Sequence, residues 1–298
     1  MALGPGDDAA LLPTRPGYQS ILTCDWFLEG THFLRHKHPA DSVGWKCLIR
    51  AVSDVAAMGG RPRCFLLSLA LPASCTGGWL DEFLRGLRRA SAKLSCPLAG
   101  GDTTQRNEIL INVTVIGEVP TGRALTRSGA RPGDAIFVSG RLGEAERGLA
   151  RLRRMGRIRP NDPLLKKHLY PEPRLALGQW LSAHRKTTAM MDLSDGLSTD
   201  LPRLCAASGV GARIQSSLLP AVPRWNHQTL ELALHGGDDY ELLFTVRANQ
   251  TLPAKIDGVP LTRVGEITGG RKVVLVTLKG SEQPLHDRGW NPFAIKSG

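Results

Sequence analysis

Ala189-Met190-Met191-Asp192-Leu193-Ser194-Asp195-Gly196-Leu197 starts as an apolar run, ends it on a carboxylate, adds a second carboxylate and turns at a glycine. The run reads as a strand over 189–192. The residues after the glycine read as a helix over 197–207, with Pro202 in its early part. The same arrangement recurs upstream: a short strand, 20–24, delivers Asp25, and the apolar residues 96–98 feed Gly100-Gly101-Asp102. Strand, acidic corner and helix in alternation predict mixed layers rather than an all-helical or all-strand protein.

Reading outward, apolar residues at 43, 47, 51, 55 and 58 recur at three- and four-residue spacing and predict a buried helix over 42–58. Asp41 or Ser42 can cap it, and Gly59-Gly60 with Pro62 can end it. Residues 65–71 read as a strand, 79–94 as an amphipathic helix and 109–119 as a long β-branched strand. In the second half, strands are predicted at 135–139, 212–214, 240–246, 263–267 and 272–278, and helices at 144–154, 174–183 and 229–235. The fold class is α+β, or α/β with antiparallel pairing. A Gly- and Pro-containing connector at 129–134 predicts two domains, 1–130 and 131–298.

The chain has 298 residues, 42% of them hydrophobic, enough for a sizeable core. It contains no apolar run of the roughly 18–20 residues a membrane span requires. No basic stretch followed by an apolar one opens the chain, so no secretory leader is expected. The six cysteines are scattered without zinc spacing, which predicts reduced, mostly buried thiols and a cytoplasmic location. The net charge of +11 admits nucleic acid as a partner. However, the densest basic run, 151–159, lacks the interleaved aromatics that single strands stack on, and reads as a solvated helix end and loop. A positive field also draws in anionic substrates.

The sequence contains no P-loop, no dinucleotide-binding glycine fingerprint, no protein-kinase signature and no nucleophile elbow. His32, His36 and His38 lack the spacing of a zinc protease, and His36 and His38 are expected on a surface loop. What remains is a set of carboxylates: Asp7, Asp8, Asp25, Asp54, Asp102, Asp192, Asp195, Asp238 and Asp239. Taken singly, each is a turn or cap residue. Taken together at glycine corners, where the backbone can approach a ligand closely, they would repel one another unless cations lay between them. Asp54 falls near the C-terminus of its predicted helix, where the dipole disfavours an anion. Mg²⁺ prefers such hard oxygen ligands and bridges them to phosphates. Phosphoryl transfer needs mostly positioning and charge neutralisation from the protein.

Gly4-Pro5-Gly6-Asp7-Asp8-Ala9-Ala10, Asp25 with Glu29-Gly30-Thr31-His32-Phe33, and Ser53-Asp54-Val55-Ala56-Ala57-Met58-Gly59 follow one another in the chain. So do Gly100-Gly101-Asp102-Thr103-Thr104, Gly122-Arg123-Ala124-Leu125-Thr126-Arg127-Ser128-Gly129, Asp192-Leu193-Ser194-Asp195-Gly196-Leu197 and Gly236-Gly237-Asp238-Asp239-Tyr240-Glu241-Leu242. This collinear series resembles the thiamine-monophosphate kinase family of the aminoimidazole ribonucleotide synthetase-like superfamily. The resemblance implies a two-domain fold, an N-terminal ATP- and Mg²⁺-binding sheet domain and a C-terminal α/β domain that completes the site. It implies transfer of the ATP γ-phosphate directly to thiamine monophosphate, with thiamine diphosphate as product and no phosphoenzyme. By motif position, the family's metal ligands fall on Asp8, Thr23, Cys24, Asp25, Asp54, Asp102, Asp192 and Asp195. Its ATP contacts fall on Gly101, Asp102, Arg127 and Ser194, and its substrate contacts on His32, Asp238 and Trp290. A homodimer through the N-terminal sheet is implied as well.

Three features depart from the family pattern. Cys24 stands where Thr or Ser is usual, and a thiol is a poor Mg²⁺ ligand, leaving a backbone carbonyl to serve. Asp238 stands where Glu is common, one methylene shorter. Met1 lies almost on the first Gly-Asp-Asp, where the family has about twenty further residues, a helix and loop in length. The alternatives are another ATP-using enzyme of the superfamily, a catalytically impaired ATP-binding relative, and a basic nucleic-acid-binding protein. Against particular superfamily members, no reactive cysteine lies in an N-terminal glycine-rich loop and none ends the chain.

Overall fold

The computed structural model describes residues 10–13, 16–155, 162–221 and 227–293. Its first half holds β1 (Ala10–Pro13), β2 (Tyr18–Leu28), α1 (Ala40–Ala57), β3 (Arg61–Leu71), α2 (Gly78–Leu94), β4 (Leu98–Gln105) and β5 (Leu110–Pro120). The five strands form one sheet in the order β1-β2-β5-β3-β4, antiparallel except for the β3–β4 pair. One face carries Ile21, Phe27, Phe65, Val113 and Val115, which pack under α1 and α2 as a continuous core. The two helices approach closely because each presents a glycine to the other's backbone. A Cβ at Gly44 would lie 1.9 Å from the Phe83 carbonyl oxygen, and one at Gly86 would lie 1.8 Å from that of Asp41. Among the described residues no layer covers the opposite face of the sheet: Trp26 is 54% exposed and β4 is exposed along its whole length.

The second half holds β6 (Ala135–Ser139), α3 (Glu144–Arg154), α4 (Pro163–Leu169), α5 (Leu175–His184), β7 (Thr187–Leu193), α6 (Leu197–Ser208), β8 (Gly211–Gln215), α7 (His227–His235), β9 (Glu241–Val246), β10 (Lys255–Ile256), β11 (Val259–Thr268), β12 (Val273–Val276) and β13 (Glu282–Pro284). Its sheet runs β13-β12-β8-β11-β6-β9-β7, with β10 beside β11. β7 and β9 pair antiparallel with Asp192 opposite Leu242, so the first acidic corner and the Gly-Gly-Asp-Asp corner emerge at the same end of the sheet. β7 also meets α1, where the Ser53 hydroxyl donates to Asp192 Oδ2 at 2.6 Å.

Strand and helix mix as expected, but several elements differ from the sequence reading. The Gly-Gly-Asp stretch expected as a turn at 100–102 lies inside β4, held there by parallel pairing with β3. α4 was not anticipated; Asp162 caps it by accepting from Leu164 N at 3.0 Å, with Pro163 at the first helical position. Neither Asp41 nor Ser42 caps α1, whose N-cap is Pro39. Asp41 instead accepts from Arg89 and the Tyr170 hydroxyl, and the Ser42 hydroxyl donates to the Pro39 carbonyl. His38, expected on a surface loop, is buried and faces His168. All six cysteines are free, four of them buried. Among the described residues no helix is long and apolar enough to cross a membrane.

Candidate active site

A cavity of about 470 Å³ opens between α1, the C-terminal end of β7 and the segment before Trp290. Its walls include Asp25, His32, Asp54, Asp192, Ser194, Asp195, Asp238 and Trp290, eight of the residues singled out from the motifs. Each reaches the cavity for a local reason. Asp25 belongs to the row of β2 that alternates toward α1, with Thr23 and Phe27. Asp54 lies in the last turn of α1, where the Thr23 hydroxyl donates to its Oδ2. Asp192 and Ser194 stand at the end of β7.

The two acidic corners are packed backbone to backbone, which accounts for their glycines. A Cβ at Gly237 would sit 2.8 Å from the Ser194 carbonyl oxygen, and one at Gly196, where φ is +107°, would sit 2.9 Å from that of His235. Asp238 N and Tyr240 N donate to the Ser194 and Leu193 carbonyls at 2.8 and 2.9 Å. Asp238 itself adopts a φ of +66°, a left-handed conformation that the surrounding hydrogen bonds hold. Buried Asp200 accepts from the backbone N–H of Asp195 and of Gly196 and so fixes the first corner. Trp290 N donates to the Asp195 carbonyl at 2.9 Å and Gly289 presses on the same carbonyl, which brings the Trp290 ring 6.2 Å from that of His32.

Two cations that the motifs did not mark stand among the carboxylates. Lys46 Nζ, on a side chain only 1% exposed, is 2.8 Å from Asp238 Oδ2; Arg50 lies 3.5 Å from Asp238 and 3.9 Å from Asp25. The Tyr240 hydroxyl donates to Asp238 Oδ1 at 2.6 Å. Burial alone would push the Asp238 carboxyl up, but Lys46 and Arg50 outweigh it and hold it well below the usual carboxylate range. Asp238 is therefore an anion at neutral pH. Burial raises Asp25, with Asp195 and Asp238 adding to the shift and Arg50 opposing it. Behind Lys46, His168 Nδ1 lies 3.4 Å away, and its Nε2 meets His38 Nε2 at 2.9 Å. Burial first, then Lys46, lowers His38 to about 4. His32 is also lowered to about 4, by burial and then Arg50. Its Nδ1 accepts from Leu28 N at 3.0 Å, so the neutral ring carries its proton on Nε2. Lys46, Arg50 and Asp54 follow at four-residue spacing on a helix that is otherwise almost wholly buried. That charged stripe was the available sequence signal for the two cations.

The remaining candidates lie elsewhere in the chain. Cys24 points to the face of β2 opposite Asp25 and packs its thiol against Asn112, 3.3 Å from Oδ1, so only its backbone carbonyl is left as a ligand. Asp102 shares the outer-face row Trp26–Asn112–Ser68–Asp102, three strand spacings from β2, about 14 Å. Gly101, with a Cβ position 1.8 Å from the Leu67 carbonyl oxygen, is in the same edge strand. Arg127 lies on the connector between the sheets, its carbonyl accepting from Ser208. Asp7 and Asp8 lie outside the described residues. Asp239 is a structural cap: its carboxylate accepts from Gly143 N and Ala145 N at the start of α3, and burial raises it to about 7.

Among the described residues no three acidic, His or Cys side chains already converge as a metal site. The donors around the cavity are nonetheless carboxylate oxygens, the set that suits Mg²⁺, which takes one or two carboxylates and completes its shell with phosphate oxygens and water.

Comparison with known proteins gives a family for both halves. The family described as AIR synthase related protein, N-terminal domain, matches residues 6–119, and AIR synthase related protein, C-terminal domain, matches residues 131–277. The thiamine-monophosphate kinase of Escherichia coli (strain K12) is 39% identical over 98% of this chain and 92% of its own length. That of Bacillus subtilis (strain 168) is 33% identical over 98% and 93%. Among solved structures, AaThiL complexed with AMPPCP and TMP superposes with a TM-score of 0.86 at 34% identity, covering 97% of this chain and 91% of that one.

Proposed function

Because the chain belongs to the thiamine-monophosphate kinase family within the AIR synthase related fold, we propose that its cavity transfers the γ-phosphoryl group of ATP to the phosphate of thiamine monophosphate. The carrying observation is the convergence of Asp25, Asp54, Asp192 and Asp195 with His32, Asp238 and Trp290 around one cavity. That cavity combines a group of carboxylates, Asp25, Asp54, Asp192 and Asp195, with the aromatic face of Trp290 beside the fixed anion of Asp238. The first suits a triphosphate brought in with cations. The second suits a cationic aromatic vitamin, with Trp290 for the thiazolium or pyrimidine ring. Asp238 is the contact for the vitamin, held ionised by Lys46.

Bound Mg²⁺ would neutralise charge on the transferring group. The carboxylates of Asp25, Asp54, Asp192 and Asp195 would hold it, with Asp8 and the Cys24 carbonyl as further ligands. An oxygen of the monophosphate attacks the γ-phosphorus directly. A phosphorus–oxygen bond to the acceptor forms as the β–γ bridging bond breaks, releasing ADP and thiamine diphosphate. The chain's part is to place the two phosphates in line and keep the cavity walls rigid, through the packed glycine corners and the Ser53–Asp192 hydrogen bond. Ser194 and Arg127 are assigned to ATP, with Gly101 and Asp102.

Asp102 lies on the wrong face of the sheet to reach Asp25 of its own chain. Among the described residues, β4 and the Thr23–Leu28 part of β2 are free edges of this sheet, and its outer face bears Trp26 and Leu66. A homodimer that joins those edges would cover the face and set each Asp102 beside the other subunit's β2, the strand that carries Asp25. Residues 1–130 and 131–298 are proposed as the two domains. The free thiols support a reducing, cytoplasmic setting.

The test is product analysis with purified protein, Mg²⁺, ATP, and either thiamine monophosphate or thiamine. Thiamine diphosphate formed from the monophosphate alone is the expected result. ATP hydrolysis unaffected by either vitamin form contradicts the proposal.

A further inference from the structure

Arg50 occupies the middle of the cavity wall, one turn from Lys46 and one from Asp54 on the same face of α1. Its side chain is 15% exposed and its guanidinium stacks 5.5 Å from the centroid of the Phe27 ring. A guanidinium carries five N–H donors in a planar fork. Among the described residues one hydrogen bond is made with them, a long one of 3.5 Å to Asp238 Oδ1; the approach to Asp25 is longer still at 3.9 Å, and Nε is buried without a partner. Lys46, by contrast, is seated 2.8 Å from the other oxygen of Asp238, Oδ2, while the Tyr240 hydroxyl donates at 2.6 Å to the same Oδ1 that Arg50 approaches. Asp238 therefore has close partners without Arg50. A largely buried fork with idle donors carries a desolvation cost unless a ligand meets it. The ligand it fits is an anion with several oxygens in reach of one plane, which is a phosphate.

Its position selects which phosphate. Arg50 stands between the carboxylates assigned to the triphosphate (Asp25 and Asp54) and the His32, Asp238 and Trp290 group assigned to the vitamin. We propose that Arg50 binds the phosphate of the monophosphate acceptor and is the residue by which this cavity tells thiamine monophosphate from unphosphorylated thiamine. The inference rests on the functional reading above and adds a specificity determinant to it. A fixed cation beside Asp25 and Asp238 also lets a dianionic acceptor enter a cavity whose walls are acidic.

Equilibrium binding by calorimetry tests it, with thiamine monophosphate, thiamine and a non-hydrolysable ATP analogue as separate probes in Mg²⁺ buffer. Wild type is compared with Arg50→Met and Arg50→Lys. Arg50→Met is expected to bind the monophosphate roughly ten- to a hundredfold more weakly, with thiamine and the ATP analogue unchanged. Arg50→Lys, which restores the charge but not the fork, is expected to fall between. Unchanged binding of the ATP analogue doubles as the control for folding. Monophosphate affinity in Arg50→Met within about twofold of wild type overturns the proposal, as does an equal loss for thiamine or for the ATP analogue. A wild-type protein that binds neither vitamin form overturns the functional reading itself, a result distinct from any failure of the variant.

Discussion

Replacing Lys46 by Met removes the ammonium closest to Asp238 while keeping most of the side-chain volume. Lys46 is almost inaccessible, and its charge is compensated by one carboxylate at 2.8 Å. Removing one partner of a buried ion pair costs about 3–5 kcal/mol, because the other is left charged in a poor solvent. Asp238 keeps the Tyr240 hydroxyl at 2.6 Å and Arg50 at 3.5 Å, and its side chain is 25% exposed, so the cost here is nearer 2–3 kcal/mol, an order-of-magnitude figure. With roughly 2–4 °C per kcal/mol for a cooperative unit of this size class, the melting temperature should fall by about 4–12 °C. The assay is thermal unfolding of wild type, Lys46→Met, Asp238→Asn and the double variant. Asp238→Asn should lose stability too, and the double variant should lose less than the two single losses together. A Lys46→Met protein that melts within about 1 °C of wild type, or strictly additive losses, would refute the reasoning.

Asp54→Asn and Asp192→Asn should each lower turnover by about a hundredfold or more while melting near the wild-type temperature; wild-type-like rates in both would remove the carboxylate cluster from the mechanism. Cys24→Ala, altering a side chain on the far face of the sheet, should leave turnover within about twofold in the same assay. Mixing Asp102→Asn with Asp54→Asn subunits should restore activity that neither has alone, because one of the two sites in a mixed dimer is then intact. A mixture as inactive as its parts would place Asp102 outside the partner's cavity. His38 has its folded value lowered from 6.5 to about 4, so the unfolded chain takes up a proton in that window and the folded chain does not. Its stabilisation is complete above pH 6.5 and is lost as pH falls toward 4, by up to about 3 kcal/mol. His38→Gln should flatten this part of the pH–stability curve measured by denaturant unfolding.

α1 shows how far the sequence could be read. Its apolar spacing placed the helix over 42–58, and the structure has it at Ala40–Ala57. Lys46 and Arg50, on the same face as Asp54, lie outside the acidic corners at glycines, a pattern that selects strand ends and not helix faces. The cap was misplaced because Asp41 and Ser42, both able to cap, are engaged by Arg89, Tyr170 and Pro39. β4 was illegible locally: Leu-Ala-Gly-Gly-Asp-Thr-Thr-Gln has little strand propensity, and its pairing with β3 comes from the tertiary fold. The candidate residues themselves were legible as motifs. That Asp102 and Cys24 fall on the outer face was not, since it follows from the register of four strands. The Asp239 cap of α3 depends on residues more than ninety positions apart and has no local signature.

Direct transfer between two phosphates, with no protein nucleophile between them, is the central claim. The measurement that bears on it most directly is the stereochemical course at phosphorus, using ATP made chiral by oxygen-isotope labelling of its γ-phosphate. One in-line displacement predicts that the terminal phosphate of the thiamine diphosphate product is inverted. Retention of configuration would require two displacements through a phosphorylated side chain and would contradict the account.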